Sequence, residues 1–250
     1  MTSFSYQLYS SRNFPPLADT LSMLGKLGYA QVEGYGGLMA DPAAVAELAQ
    51  HMKANGLSMP TMHVGLDMVE DTPDAVIEIA NQLGVKAAFV PHLDADSRPT
   101  DADGWRAFGA RLDKAGAPLR AAGLAFGWHN HDFEYASGLE AYPIDYILEG
   151  GPDLAFEFDV AWCVRAGADP FPTIDRYGDR LMAAHVKDIA PMGECEDEDG
   201  WADVGQGTMD WPAIMTALKN VGCTYFVMEH DNPSDDARFA SRSLDFVNTL

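Results

Sequence analysis

The chain has 250 residues, 47% of them hydrophobic, with 38 acidic against 16 basic side chains and a net charge of −22. That apolar content suffices for one large core, and about 250 residues is a common size for a β/α barrel. So acidic a surface suits solubility, including in a salty habitat, and argues against nucleic acid and membrane as partners.

An apolar run, Phe4–Leu8, opens the chain and gives way to Tyr9-Ser10-Ser11-Arg12. Pro15-Pro16 then starts a predicted helix over Leu17–Leu27, with Leu17, Leu21, Leu24 and Leu27 on one face and Gly28 as its stop. A second strand, Tyr29–Glu33, precedes a helix that begins at Asp41-Pro42 and ends at Asn55-Gly56. A third strand, Leu57–Met62, ends at His63 and is followed by a helix from Thr72-Pro73 to Leu83-Gly84. The fourth strand, Ala87–Val90, ends at Pro91-His92, and a long helical pattern runs from Asp101 or Asp103 to Gly123. The fifth strand, Leu124–Trp128, ends at His129-Asn130-His131, with a short helix over Ile144–Leu148. Leu154–Phe158 ends at Asp159, and Phe171–Tyr177 is helical. The seventh strand, Leu181–Ala184, ends at His185-Val186-Lys187-Asp188, followed by a polar, acidic segment to Gly207. A helix starts at Met209 or Asp210, the eighth strand Tyr225–Met228 ends at Glu229, and Asp235–Val247 is the last helix.

Eight alternations of strand and helix predict a parallel sheet with helical crossovers, closed into a single (β/α)8 TIM barrel over residues 1–250. No Gly-x-Gly-x-x-Gly follows the first strand, which weighs against an open dinucleotide-binding sheet. Cys163, Cys195 and Cys223 make an odd count without paired spacing, so neither a disulfide framework nor a zinc ribbon is expected. The start, Met1-Thr2-Ser3-Phe4, lacks a basic region and a signal-length apolar run. No stretch approaches the roughly 18–20 apolar residues of a membrane span, and a cytoplasmic protein is expected.

Four apolar runs each stop at a metal-ligand type of residue, and in a barrel all strand ends lie on one face. Asp159, His185 and Glu229 therefore come together as candidate ligands for one divalent ion of Mn, Co, Zn or Mg, which mixed carboxylate and imidazole donors suit. His129 is the expected fourth ligand, with His131 or Glu134 as alternatives; Glu134 is equally a candidate general base. Lys187 lies two residues beyond His185 and so points the same way, placed to stabilise an enediolate oxygen or carry a proton. His63 and His92 are candidates to hydrogen-bond substrate hydroxyls, and Glu33 and Arg12 are rim candidates for substrate contact. Trp162, Trp201, Phe133 and Tyr9 offer aromatic faces to a sugar, and the acidic run Glu194, Glu196, Asp197, Glu198, Asp199 is expected to be a solvated lid.

These pieces resemble the xylose-isomerase-like barrel superfamily, in the group called sugar phosphate isomerases/epimerases. The resemblance is carried by Gln7 to Arg12, Leu27 to Glu33, Gly56 to His63, His129-Asn130-His131-Asp132-Phe133-Glu134, Phe158 to Trp162, His185 to Asp188, Val204-Gly205-Gln206-Gly207 and Met228 to Asp231. It implies a divalent metal at the ends of strands five to eight, with Asp159, His185 and Glu229 at ligand positions and His129 where many members carry Glu. It also implies an α-proton abstraction on a sugar, keto-sugar or cyclitol. Glu134 or Glu229 would take the proton, Lys187 or a histidine would return one, and His131 and Trp162 would contact substrate. No anion pocket is evident, so a neutral substrate is expected. A dehydratase or lyase at the same site is the alternative, and a non-catalytic sugar-binding barrel is the reading from another class. A metal-dependent nuclease of the same fold would need a basic surface that this chain lacks. Barrels of this kind often pair, which makes a homodimer the expectation.

Overall fold

A computed structural model describes residues 3–136 and 138–250, so the Met1-Thr2 start lies outside it. In the first half, strands β1 (Phe4–Gln7), β2 (Gln31–Gly34), β3 (Ser58–His63) and β4 (Ala87–Val90) alternate with helices α1 (Leu17–Leu27), α2 (Pro42–Ala54), α3 (Leu66–Asp71) and α4 (Pro73–Leu83). Then follow α5 (Ala102–Ala121), β5 (Ala125–His129), α6 (Pro143–Gly150), β6 (Ala155–Asp159), α7 (Val160–Arg165), α8 (Pro170–Tyr177) and β7 (Leu181–Val186). Two short strands, β8 (Asp188–Ile189) and β9 (Trp201–Ala202), precede α9 (Trp211–Asn220), β10 (Tyr225–Met228) and α10 (Asp236–Val247). Eight strands close into a barrel in the order β1-β10-β7-β6-β5-β4-β3-β2, and β1 pairs in parallel with both β10 and β2.

Strand side chains alternate between the barrel interior and the helix layer. Tyr6, Val32, Met62, Ala88, Val90, Phe126, Trp128, Phe156, Phe158, Ala184, Val186, Phe226 and Met228 join the large core under the helices. The alternate positions fill the barrel. At its base Ala87, Phe89 and Ala183 form an apolar plug with Ala125, Ala155 and Tyr225 packed on it. Higher up the inward positions turn polar: Gln7, Glu33, His63, His129, Glu157, Asp159, His185, Lys187 and Glu229 are all buried.

Aspartates start many of the helices. Asp41, Asp101, Asp169, Asp210 and Asp235 each accept a backbone N–H from the first turn, and proline opens α2, α4, α6, α8 and α9. Part of the acidic excess is thus spent at helix N-termini, where the dipole favours it. Helices α5 and α6 touch at glycine: a Cβ on Gly109 would lie 2.0 Å from Ile147 O, and one on Gly150 2.0 Å from Arg106 O.

The predicted elements agree with these bounds within a few residues. The second strand begins at Gln31 and not Tyr29, because the Tyr29 N–H still donates to Leu24 O at the end of α1. Three features differ from the sequence reading: α3, α7, and the β8–β9 pair inside the polar segment. Among the described residues no helix is long and apolar enough to cross a membrane.

Candidate active site

Asp159 closes β6 and opens α7, and this double position divides its two oxygens. Oδ1 accepts the Trp162 N–H at 2.9 Å, while Oδ2 is buried without a hydrogen-bond partner among the described residues. Asn130 fixes the backbone there, exchanging hydrogen bonds of 3.0 and 3.1 Å with the Asp159 N–H and carbonyl. His185 Nδ1 lies 3.8 Å from Asp159 Oδ2 and 2.9 Å from Glu229 Oε2. Asp159, His185 and Glu229 thereby offer three ligand atoms within 4.8 Å of one another, all buried. Two carboxylates, one imidazole and an unsatisfied oxygen aimed at the group fit a divalent ion of the Mn, Co, Zn or Mg kind.

Lys187 is wholly buried beside this group. Its ammonium bonds Asp231, lies 3.3 Å from Glu229 Oε2 and 3.9 Å from Asp159 Oδ2, and sits 4.2 Å from the Trp201 ring centroid. Burial pulls the Lys187 ammonium down, but the charges of Asp231 and Glu229 outweigh it and hold it charged. Burial pushes Asp159 up to about 6, against the pull of Lys187 and His185. Asp188 does not pair with Lys187. Its carboxylate instead accepts the N–H groups of Ile189, Gly205 and Met209, which ties the Val204–Gly207 loop back to β8.

His129 does not join the Asp159 group. Its Nδ1 lies 3.1 Å from Glu157 Oε2, and His63 Nε2 reaches the same oxygen at 2.6 Å. Glu33 accepts from Gln7 Nε2 at 2.7 Å and lies 2.8 Å from His185 Nε2. Burial pushes Glu33 up, yet the neighbouring His63 and His185 overcome that and hold it near 2. Burial, with the Glu33 charge beside it, pushes Glu157 up to about 7.

Glu134 stands apart from both groups. Trp128 Nε1–H donates to one of its oxygens at 2.8 Å and the His131 N–H to the other at 2.9 Å. His131 stacks on Phe133, meets Trp162 at a tilt of 43° and lines the mouth; burial, then the charge of Lys187, lowers it to about 3. Arg12 lies over Tyr9, 3.9 Å from its centroid, and bonds the Asp231 carbonyl. His92 is half exposed and meets His131 edge-on. Above these groups a cavity of about 460 Å³ is bounded by Tyr9, Tyr35, His63, His131, Glu229 and Asp231, among others. No lysine or arginine is among the described residues lining it.

The acidic run is only partly solvated. Glu194, Glu196, Asp197 and Asp199 are exposed, but Glu198 is buried, pairing with Arg238 through both oxygens and taking the Ser234 N–H at 2.8 Å. Trp201 beyond it packs at 78° on Trp162. Sequence reasoning missed Glu157, Asp231 and Gln7 as site residues. The period of two was the available signal: Glu157 precedes Asp159 by two residues and Asp231 follows Glu229 by two.

An inosose dehydratase of Lacticaseibacillus casei is 27% identical over 194 residues, 68% of this chain and 64% of that protein. The match thus spans under two thirds of the relative. A sugar phosphate isomerase/epimerase from Parabacteroides distasonis superposes with a TM-score of 0.83 at 19% identity, over 100% of this chain and 94% of that one. An IOLI protein with a bound zinc atom superposes with a TM-score of 0.76 at 14% identity, over 99% and 97% of the two chains. The family model described as xylose isomerase-like TIM barrel matches residues 22–250, and the chain belongs to that family.

Proposed function

We propose that this protein is a divalent-metal-dependent isomerase or epimerase of an uncharged sugar, keto-sugar or cyclitol, working by removal of a proton α to a carbonyl. The observation that carries this is the Asp159, His185 and Glu229 group, with the unpartnered Asp159 Oδ2, opening beneath a cavity edged by carboxylates, imidazoles and aromatic rings. Those three residues would hold the cation, which supplies Lewis-acid stabilisation of the oxyanion when bound. The lack of a lysine or arginine on the cavity wall supports a substrate without phosphate.

Glu229 lines the cavity and is the carboxylate we assign to take the α-proton, leaving the electron pair in the enediolate double bond. Lys187, buried behind the cavity wall and 3.3 Å from Glu229, would offset the charge there, and a histidine on the wall would return the proton. Return to the same carbon from the opposite face is epimerisation; return to the neighbouring carbon is isomerisation. His63, His92 and His131 would hydrogen-bond substrate hydroxyls, Trp162 would back the His131 ring rather than meet the sugar, and Arg12 would close the rim over Tyr9. With both oxygens occupied away from the cavity, Glu134 is better suited to hold the His129–His131 segment than to move protons.

A second reading is a dehydratase, in which the same carbanion expels a β-hydroxyl as water. The 27% identity to an inosose dehydratase favours it. Incubation with keto-sugars and inososes in deuterium oxide tests both: the parent should place deuterium at the α-carbon or release water. Asp159→Ala and His185→Ala should each lose turnover by more than about a thousandfold. Parent-like turnover in either variant would refute the proposal. Cytoplasmic location and a homodimer are carried with it, the latter checked by light scattering.

A further inference from the structure

One layer below the Asp159 group lies a second convergence of ligand atoms, and we propose that it is a separate divalent-cation site held by His63, His129 and Glu157, suited to zinc or cobalt. Glu157 precedes Asp159 by two residues on β6, so both point into the barrel with Glu157 deeper. His63 and His129 reach it from the ends of β3 and β5.

The convergence suits a shared ion, with the His63–Glu157 pair, hydrogen-bonded at 2.6 Å, opening to admit it. His63 Nε2 and His129 Nδ1 lie 2.6 and 3.1 Å from the same oxygen, Glu157 Oε2, and His185 Nε2 lies 3.6 Å from it. Ligands around a tetrahedral zinc, with bonds of about 2.0 Å, stand roughly 3.3 Å apart. All four ligand atoms fall within 4.8 Å of one another. The imidazole centroids are 4.8 Å apart for His63 and His129 and 4.4 Å for His129 and His185, as rings around one centre would be.

Hydrogen bonding leaves this group incomplete. His129 Nδ1 is close to Glu157 but lies off the line of a hydrogen bond, and it has no other partner among the described residues. Glu157 Oε1 is also buried without a partner. Buried polar atoms are seldom left so, and a cation held by His129 Nδ1 and by Glu157 through both of its oxygens would satisfy them.

His185 touches both groups with opposite ring nitrogens. A neutral imidazole has one lone pair. With Nδ1 directed to Asp159 and Glu229, its Nε2–H goes to Glu33 at 2.8 Å, a carboxylate that fixes the tautomer. The inner site then keeps three ligands of its own, two imidazoles and one carboxylate. The outer has two carboxylates and one imidazole, a harder set. The inner site goes beyond the proposed function and does not require it.

Elemental analysis after reconstitution with zinc or cobalt and desalting tests this on the whole chain. The parent should hold two equivalents, Glu157→Gln one, and Asp159→Asn one. One equivalent in the parent, lost in Asp159→Asn and kept in Glu157→Gln, would overturn the inner site and leave a proton-sharing network in its place. One equivalent lost only in Glu157→Gln would keep the inner site and overturn the outer one. Cobalt titration followed by visible absorption is a check that does not depend on the folding of Glu157→Gln. Two spectral components saturating separately support the inner site, as does a single component that survives in Asp159→Asn; a single component lost in Asp159→Asn overturns it.

Discussion

Glu134 shows how little residue type says about role until the partners are known. In sequence it sits three residues beyond His131, within reach of a metal or a substrate. In the fold its oxygens hold the Trp128 indole and the His131 backbone. Glu134→Ala would leave two buried N–H groups unpaired, at about 1–3 kcal/mol each, and urea unfolding should show a loss in the range of about 2–6 kcal/mol. The sign of its pH dependence also follows. Burial pushes this carboxyl up to about 8, so the folded chain holds a proton that the unfolded chain has released. Its contribution is full below the unfolded value of about 4.5 and is lost as pH rises through about 8. The stability difference between parent and Glu134→Gln should therefore move in the variant's favour across that window; a constant difference would count against it. The ligand-type residues at strand ends were legible because apolar runs stop there. Glu157 was not, because it is flanked by Phe156 and Phe158 inside a run that reads as core.

At the scale of elements, the sequence carried the strand and helix order well wherever proline, aspartate or glycine marked a boundary. Helix α7 escaped because it begins directly after the last residue of β6 with no breaker between them. The β8–β9 pair escaped because two-residue strands carry no periodicity, and its acidic stretch reads as solvent-facing. What binds that stretch is long-range: Glu198 to Arg238, and Arg238 to Asp203 at 3.1 Å. Glu198 is drawn below its usual range, to about 2; partial burial pushes it up, but Ser234 and Arg238 outweigh that. Glu198→Ala should free the segment from the N-terminal end of α10. Hydrogen exchange of residues 194–207 should rise by at least about tenfold, while the barrel strands keep their protection. Unchanged exchange would mean that the β8–β9 pairing and Asp188 suffice.

For the whole molecule, 38 acidic against 16 basic side chains set a self-repulsion that the aspartate caps and ion pairs only partly offset. Raising ionic strength from about 0.01 M to 1 M shortens the screening length from about 30 Å to about 3 Å. The melting temperature should therefore climb with sodium chloride. A flat or falling curve would show that local pairing already balances the field.

The alternation of strand side chains has a consequence for how such a protein can change. Buried polar side chains occupy the upper part of one set of positions along the strands, above the apolar plug, and packing against the helices takes the other set. Substitutions at His63, His129 or Glu157 leave Met62, Trp128 and Phe158 in place. An evolving lineage can then explore new reactions at the mouth without rebuilding its scaffold. A one-residue deletion inside a strand is the change it can least tolerate, since that would turn ligands outward and phenylalanines in.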